Sequence, residues 1–385
     1  MNKIKKIFLI PLLSFSVHLH LYANPNIQAN TVILLDHDSK EIIYELNPDL
    51  QIYPASMTKI MTSIIAFDLL KKNRIFLDDK VIVSEKAWHL SQSGFSSMFI
   101  MPNDEVTIEE LLKGIIIVSG NDACVALAEG IAGTEENFVD MMNEKAQEIG
   151  MLDTNFANSS GITNPENYST VRDIALMSRH LIKNYPEYYY MYSEKEFTWD
   201  RTGGEPITQF NRNRLLFKNI GADGIKTGYL DAELYSLAST IKKGSRRLIS
   251  VGSGFKTKAK RTSQSIKLLS WGFRNSDTFQ ISKKGETFFH IETWLGKKKT
   301  VKGISKEDLY VTLNKKDTRS FRVILEYTGP VTTPIKKGEK IANLKVLNKD
   351  ELLKTVSIYA FEDVKKINFF KSLFISLNYM IWGDV

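Results

Sequence analysis

Cysteine is almost absent: the single Cys124 in 385 residues excludes an intrachain disulfide framework and any multi-cysteine zinc site. Glycine (22) and proline (10) are too scarce for a collagen-like or low-complexity chain. No HExxH helix and no GxSxG elbow occurs, which removes two common hydrolase designs. Histidine numbers six, and two of them, His18 and His20, lie in the extreme N-terminal segment. Internal repeats and nucleic-acid motifs are also missing, so no nucleic-acid partner is expected. The formal charge of +7 suits an anionic surface or polymer without selecting one. What is present is an ordinary globular balance, 43% hydrophobic and 25% charged, which excludes a largely disordered chain. The length favours two domains.

Both ends carry membrane-related patterns. Lys3, Lys5 and Lys6 form a positive region ahead of the apolar run Ile7 to Phe15, and Ala23 is a small residue suited to a cleavage site. Residues 1–23 therefore read as a secretory signal whose removal takes away three lysines and no acid, and the mature protein is expected outside the cytoplasm. At the other end, helical spacing over 363–385 gathers Ile367, Phe369, Phe370, Leu373, Phe374, Leu377, Met380 and Ile381 on one side. Lys365, Asn368, Lys371, Ser372 and Ser376 fall opposite. Polar residues recur too often for a spanning helix, and the pattern predicts a helix lying in the membrane surface. Its rival is a last helix packed on its own domain.

Between the ends, Thr31 to Asp36 and Glu41 to Leu46 alternate around His37–Lys40 and predict a hairpin. Helical patterns run from about Ser56 to Arg179, with Thr107 and Glu110 placed for a capping box. Strand patterns return at Gly224–Tyr229, Leu234–Thr240 and Arg247–Gly252. Strands flanking a helical block imply one α/β or α+β domain, 24–279, whose first and last strands share a sheet. The polar stretch Asn275–Lys284 reads as a junction. Beyond it, short runs such as Leu309–Leu313 and Phe321–Tyr327 predict a small all-β domain over 280–362. The lysine runs 297–299 and 336–337 read as solvated turns.

Three short motifs carry chemistry. Pro54 opens a helix at Ala55-Ser56-Met57-Thr58-Lys59, and three residues of helical spacing put the Ser56 hydroxyl and the Lys59 amine on one side. A lysine whose pKa is depressed by burial can then take the serine proton. The pattern recurs at Ser239/Lys242 and Ser253/Lys256, where strand or loop sequence spoils the geometry. Ser119-Gly120-Asn121 interrupts two helical runs and presents a hydroxyl and an amide. Lys226-Thr227-Gly228 lies on a predicted strand, its glycine allowing close backbone approach. Singly, each has a bland reading as a helix start, a turn or a strand end. In this order, on helix, loop and strand, they argue for one site.

With the longer strings PASMTKIMT at 54–62, SGNDACVALAE at 119–129, NRNRLLF at 211–217, DGIKTG at 223–228 and LLSWGF at 268–273, the chain resembles a family. It is similar to the low-molecular-mass penicillin-binding proteins that act as serine-type D-alanyl-D-alanine carboxypeptidases. The resemblance implies an α/β (α+β) penicillin-recognising serine-enzyme domain of the β-lactamase/transpeptidase type, a small all-β domain and a C-terminal amphipathic helix. It implies removal of the terminal D-alanine from peptidoglycan pentapeptide stems, acylation by β-lactam antibiotics, and residence on the outer face of the cytoplasmic membrane. No metal or organic cofactor is expected. It makes Ser56 the nucleophile and Lys59 its base, with Ser119 and Asn121 in the proton-transfer and amide-holding network. Lys226, Thr227 and Gly228, helped by Arg212, would bind the terminal carboxylate. Backbone N–H groups of Ser56 and Tyr229 would form the oxyanion hole. Residues 94–98 resemble the segment beside the mouth of the site, and Cys124 is expected to be a buried packing residue. Endopeptidase or β-lactamase chemistry on the same fold, or a weakened peptidoglycan-binding role in morphology, are the alternatives. One departure stands out: after Tyr229 the family continues with threonine and an alanine-glycine pair, where this chain has Leu230, Glu233 and Leu234. A narrower substrate range, slower turnover and a reshaped turn remain open readings of it.

Overall fold

The computed structural model describes residues 25–200, 204–287 and 289–383. The segment read as a signal lies outside them. Strands β1 (Thr31–Asp36) and β2 (Ile42–Leu46) form the expected hairpin. Three long strands, β3 (Ala222–Leu230), β4 (Leu234–Lys243) and β5 (Arg246–Phe255), complete one antiparallel sheet in the order β2-β1-β5-β4-β3. The first and last strands of the α/β unit thus share a sheet, with β3 at its edge.

Strand alternation gives the sheet two apolar faces. Ile33 and Leu35 point into the larger core, and Val32 and Leu34 into a second core with Leu268, Leu269 and Trp271. The larger core is centred on α1 (Lys59–Lys71), ten of whose thirteen residues are buried. A helix apolar on all sides belongs inside a protein. Its polar members are satisfied there: Thr62 donates to the Ser159 carbonyl at 2.5 Å, and Ser63 shares a bond with the Tyr192 hydroxyl. Helix α2 (Asn121–Ala132) lies in the same layer, and α3 (Lys258–Asn275) covers the opposite face. The Thr107–Glu110 capping box forms as expected. The helical block is less uniform than its periodicity suggests, since it includes the short strand pair Lys80–Ile82 and Glu105–Thr107.

The polar junction is itself a strand, β6 (Ser276–Ser282). Its Ser276 and Thr278 side chains are hydrogen-bond partners rather than solvent-facing spacers. Buried Asp36 accepts from Arg246 Nε (3.0 Å), from the Thr278 hydroxyl (2.5 Å) and from the backbone N–H groups of Asp38 and Ser39. Thr278 in turn meets the Thr312 hydroxyl at 2.9 Å. The strands that follow β6 in the chain are β7 (Phe289–Trp294), β8 (Thr300–Ile304), β9 (Leu309–Asn314), β10 (Phe321–Glu326), β11 (Val331–Thr332), β12 (Lys340–Asn348) and β13 (Glu351–Ala360). They form a β6-β9 pair and a six-stranded sheet ordered β10-β12-β13-β8-β7-β11 around a separate core including Ile291, Val301, Leu344 and Ile358. Helix α4 (Phe369–Trp382) follows. It starts six residues later than the pattern from 363 suggests, because Val364 pairs with Ile335, and Ile367 donates its N–H to Leu295 O at 2.9 Å. That pairing holds the chain extended.

Candidate active site

Ser56 sits in a 3₁₀ turn, Ala55–Thr58, that leads directly into α1. Pro54 precedes the turn, and Ala55 adopts φ +50°, a left-handed conformation that a non-glycine residue keeps only when its surroundings enforce it. The enforcement is visible in two glycines. A Cβ on Gly161 would lie 1.9 Å from Ala55 O, and one on Gly228 would lie 3.2 Å from both Pro54 O and Ala55 Cβ. Gly161 must be bare for the 158–161 loop to close on the nucleophile turn, and a side chain there would displace the backbone entering Ser56; at Gly228 the tightest clash, 2.3 Å, would be with Ser236 Oγ on β4.

Lys59 is fully buried. Its amine donates to Asn121 Oδ1 at 2.6 Å and to the Ser160 carbonyl at 2.5 Å, and lies 3.2 Å from Ser56 Oγ. Burial lowers its pKa below the ordinary lysine value, the Arg212 cation adds to that, and Asp122 works against it. Lys226, on β3, is pushed well below its ordinary value by burial and then by the charges of Lys59 and Arg212. Two buried amines with depressed proton affinity form the electrostatic centre of the site. Ser119 is held in the left-handed region, φ +68°, between a π-helical turn, Gly114–Val118, and α2. That kink turns the Ser119–Asn121 loop to the cleft. Asp122, buried behind it, accepts from Ser91, Ser97 and the backbone N–H groups of Met98 and Phe99, fixing the segment beside the mouth.

The cleft has a volume of about 1010 Å³, and Ser56, Ser119, Asn121, Arg212, Thr227, Gly228 and Tyr229 all line it. Lys59 and Lys226 lie buried behind that lining. Every residue singled out from the sequence is therefore brought to one place, and residues 94–96 border it. Cys124 is buried, its thiol donating to Gly120 O, and burial pushes its pKa to about 12, so it packs rather than reacts. Three participants escaped sequence reasoning. The Ser160 contribution is a backbone carbonyl and has no residue-type signature. Arg261, buried on α3, donates to Gly228 O at 3.4 Å, lies 5.6 Å over the Tyr235 ring and has its pKa lowered by burial to about 10. Glu233 was marked only as a departure. Of its neighbours, Leu230 lines the cleft, and Leu234 takes φ +62°.

The chain matches the family model described as D-alanyl-D-alanine carboxypeptidase over residues 20–257, and that of the penicillin-binding protein 5 C-terminal domain over 277–366. It is 37% identical to D-alanyl-D-alanine carboxypeptidase DacC of Escherichia coli, over 93% of this chain and 90% of that protein. Penicillin-binding protein 5 from Haemophilus influenzae superposes with a TM-score of 0.83 at 37% identity, covering 89% of this chain and 99% of its own. Penicillin-binding protein D2 of Listeria monocytogenes in its cefotaxime-bound form gives a TM-score of 0.59 at 28% identity, over 65% of this chain and 99% of its own.

Proposed function

The chain belongs to the D-alanyl-D-alanine carboxypeptidase family, and from that premise we propose how its residues divide the reaction. It is a serine-type peptidase that removes the terminal D-alanine from peptides ending in D-alanyl-D-alanine, the pentapeptide stems of peptidoglycan. Ser56 Oγ attacks the carbonyl of the penultimate residue while its proton passes to the unprotonated amine of Lys59. The oxyanion is met by the backbone N–H groups of Ser56 and Tyr229. Collapse breaks the peptide bond, and the departing D-alanine nitrogen takes the proton back through Lys59 and Ser119. Water then hydrolyses the acyl-serine ester with the same base. Asn121 holds the substrate amide, while Lys226, Thr227, Gly228 and Arg212 receive its terminal carboxylate. The carrying observation is a buried lysine, its pKa lowered by that burial, 3.2 Å from the serine hydroxyl. The test is D-alanine release from a D-alanyl-D-alanine peptide, blocked after stoichiometric acylation by a penicillin that leaves slowly. Rapid penicillin turnover without D-alanine release would assign β-lactamase chemistry instead.

The same proposal places the enzyme outside the cytoplasm, peripheral to the membrane through α4. No described helix is long and apolar enough to cross a membrane. None of the described residues of α4 is buried, and Phe369, Phe370, Phe374, Met380, Ile381 and Trp382 are 65–81% exposed. Ser372, Ile375, Ser376 and Asn378 are instead half-covered, and Tyr379 packs edge-on against Trp294, so the most exposed apolar side chains point away from the domain. The lysine turns support the reading. Lys297 N–H donates to Lys365 O at 2.8 Å and Lys337 N–H to Asp363 Oδ1 at 2.7 Å, which gathers both turns at the root of the helix. Each lysine near anionic lipid contributes about 1 kcal/mol, and each large apolar side chain fully buried contributes roughly 1.5–3 kcal/mol. Burial therefore dominates. Deleting Phe369–Val385 is expected to release a soluble enzyme with undiminished activity. The full chain is expected to stay on vesicles at about 1 M salt, where charges are screened beyond roughly 3 Å. A full-length protein that salt strips quantitatively would refute the apolar anchor.

A further inference from the structure

Glu233 has no part in the steps above, yet its side chain joins the two backbone pieces those steps depend on. It lies in the turn between β3 and β4, and both carboxylate oxygens reach out of that turn. Oε1 accepts the Ser253 hydroxyl on β5 at 2.7 Å, and Oε2 accepts the backbone N–H of Tyr53 at 3.3 Å. Tyr53 is followed by Pro54, Ala55 and Ser56, so the second bond is made three residues before the nucleophile.

Both backbone pieces are held in conformations that side chains resist. Ala55 has φ +50° on the nucleophile side, and Leu234 has φ +62° in the turn itself. A leucine seldom adopts the left-handed region, and here the turn closes on the bond from the Glu233 N–H to Leu230 O while the Glu233 carboxylate bonds outward from the adjacent residue. The separation it spans also matters for the chemistry. The oxyanion needs the N–H groups of Ser56 and Tyr229 at one point in space; bare Gly228 lets β3 run close to Pro54 and Ala55, where an added Cβ would lie 3.2 Å from each, and the Glu233 bonds lie at the turn of the same hairpin.

We propose that Glu233 is a positioning residue for acylation: through the Tyr53 N–H and the Ser253 hydroxyl it fastens the strained β3–β4 turn to the backbone entering Ser56. This rests on the carboxypeptidase reading of the site. The role is hydrogen bonding rather than charge, so an amide serves nearly as well. Glycine at 234 removes the strain that makes the fastening necessary.

The experiment uses the full-length enzyme as wild type, E233A, E233Q, L234G and the double variant E233A/L234G. It measures kcat and KM for D-alanine release, the acylation rate with a fluorescent penicillin, and the melting temperature. E233A is expected to lower kcat and the acylation rate about tenfold, the scale of losing hydrogen bonds to a charged group, with KM within about twofold. E233Q and L234G are expected to stay within about threefold of wild type. The double variant is expected to recover most of the E233A loss. If E233A does not fold, S253A removes one of the two bonds and is expected to lower acylation about two- to threefold. An unchanged kcat in E233A, an equal loss in E233Q, or no recovery in the double variant overturns the proposal. Wild-type enzyme that is acylated but releases no D-alanine would instead overturn the carboxypeptidase reading, and the acylation rates would still judge Glu233.

Discussion

Ser56→Ala is expected to take D-alanine release to background, a fall of about 10⁶-fold on the scale of nucleophile deletion in serine hydrolases, and to abolish the covalent penicillin adduct. The fold does not depend on the hydroxyl. Lys59 keeps Asn121 Oδ1 and the Ser160 carbonyl as partners, and Gly161 makes its closest approach to the backbone of Ala55 rather than to Ser56. Melting is therefore expected to shift by no more than about 0.5 kcal/mol allows. The carboxylate pocket of Lys226, Thr227 and Arg212 is untouched, so non-covalent binding of the peptide should persist. That separates recognition from turnover. Release that continues at the wild-type rate in Ser56→Ala would move the nucleophile elsewhere, and absence of release in both proteins would favour a binding-only role.

The legibility of this site follows from what its chemistry requires. Ser56 and Lys59 must stand three residues apart on one helical stretch, Ser119 and Asn121 must share a sharp bend between two helical stretches, and Gly228 must be bare, so spacing and residue type expose them. The carbonyl of Ser160 and the backbone N–H of Tyr53 act through atoms that every residue possesses, and no pattern marks them. Arg261 reaches Gly228 from α3 across the fold, which depends on how the helix is rotated on the sheet. The same distinction governs the architecture. The hairpin and the three long strands are legible because β-branched and apolar residues run through them between turn residues, whichever core each side chain enters. That pattern failed at β6, whose Ser276 and Thr278 bury polar atoms against Arg246 and Asp36. It also misplaced the start of α4, since partners for Val364 and Ile367 come from turns 29 and 72 residues upstream, at Ile335 and Leu295. Long-range partners overrule local periodicity in both places.

Lys59→Met is expected to lower the acylation rate by about 10²–10⁴, the range supplied by a positioned general base. Methionine fills the space of the lysine stem without an atom able to take the Ser56 proton. Lys59→Arg should fail equally, because a guanidinium stays protonated at every working pH. In the wild type, burial holds the Lys59 pKa below the ordinary 10.5, so acylation should fall as pH drops through that lowered value and the amine takes up a proton. Lys226 is depressed further, by burial and by the Lys59 and Arg212 cations, so the two amines titrate as a coupled pair and the acid limb belongs to that pair rather than to either residue. Stability should carry the same signature. Between the folded and unfolded pKa of Lys59 the unfolded chain binds the extra proton, so the folded state gains as pH rises through that window and loses as pH falls. The melting temperature of wild type should therefore rise relative to Lys59→Met from the lowered pKa up to about 10.5 and level off beyond it. Parallel melting curves across that window, or a Lys59→Met enzyme acylated at the wild-type rate, would show that Lys59 is not the depressed base and that the Ser56 proton leaves by another route.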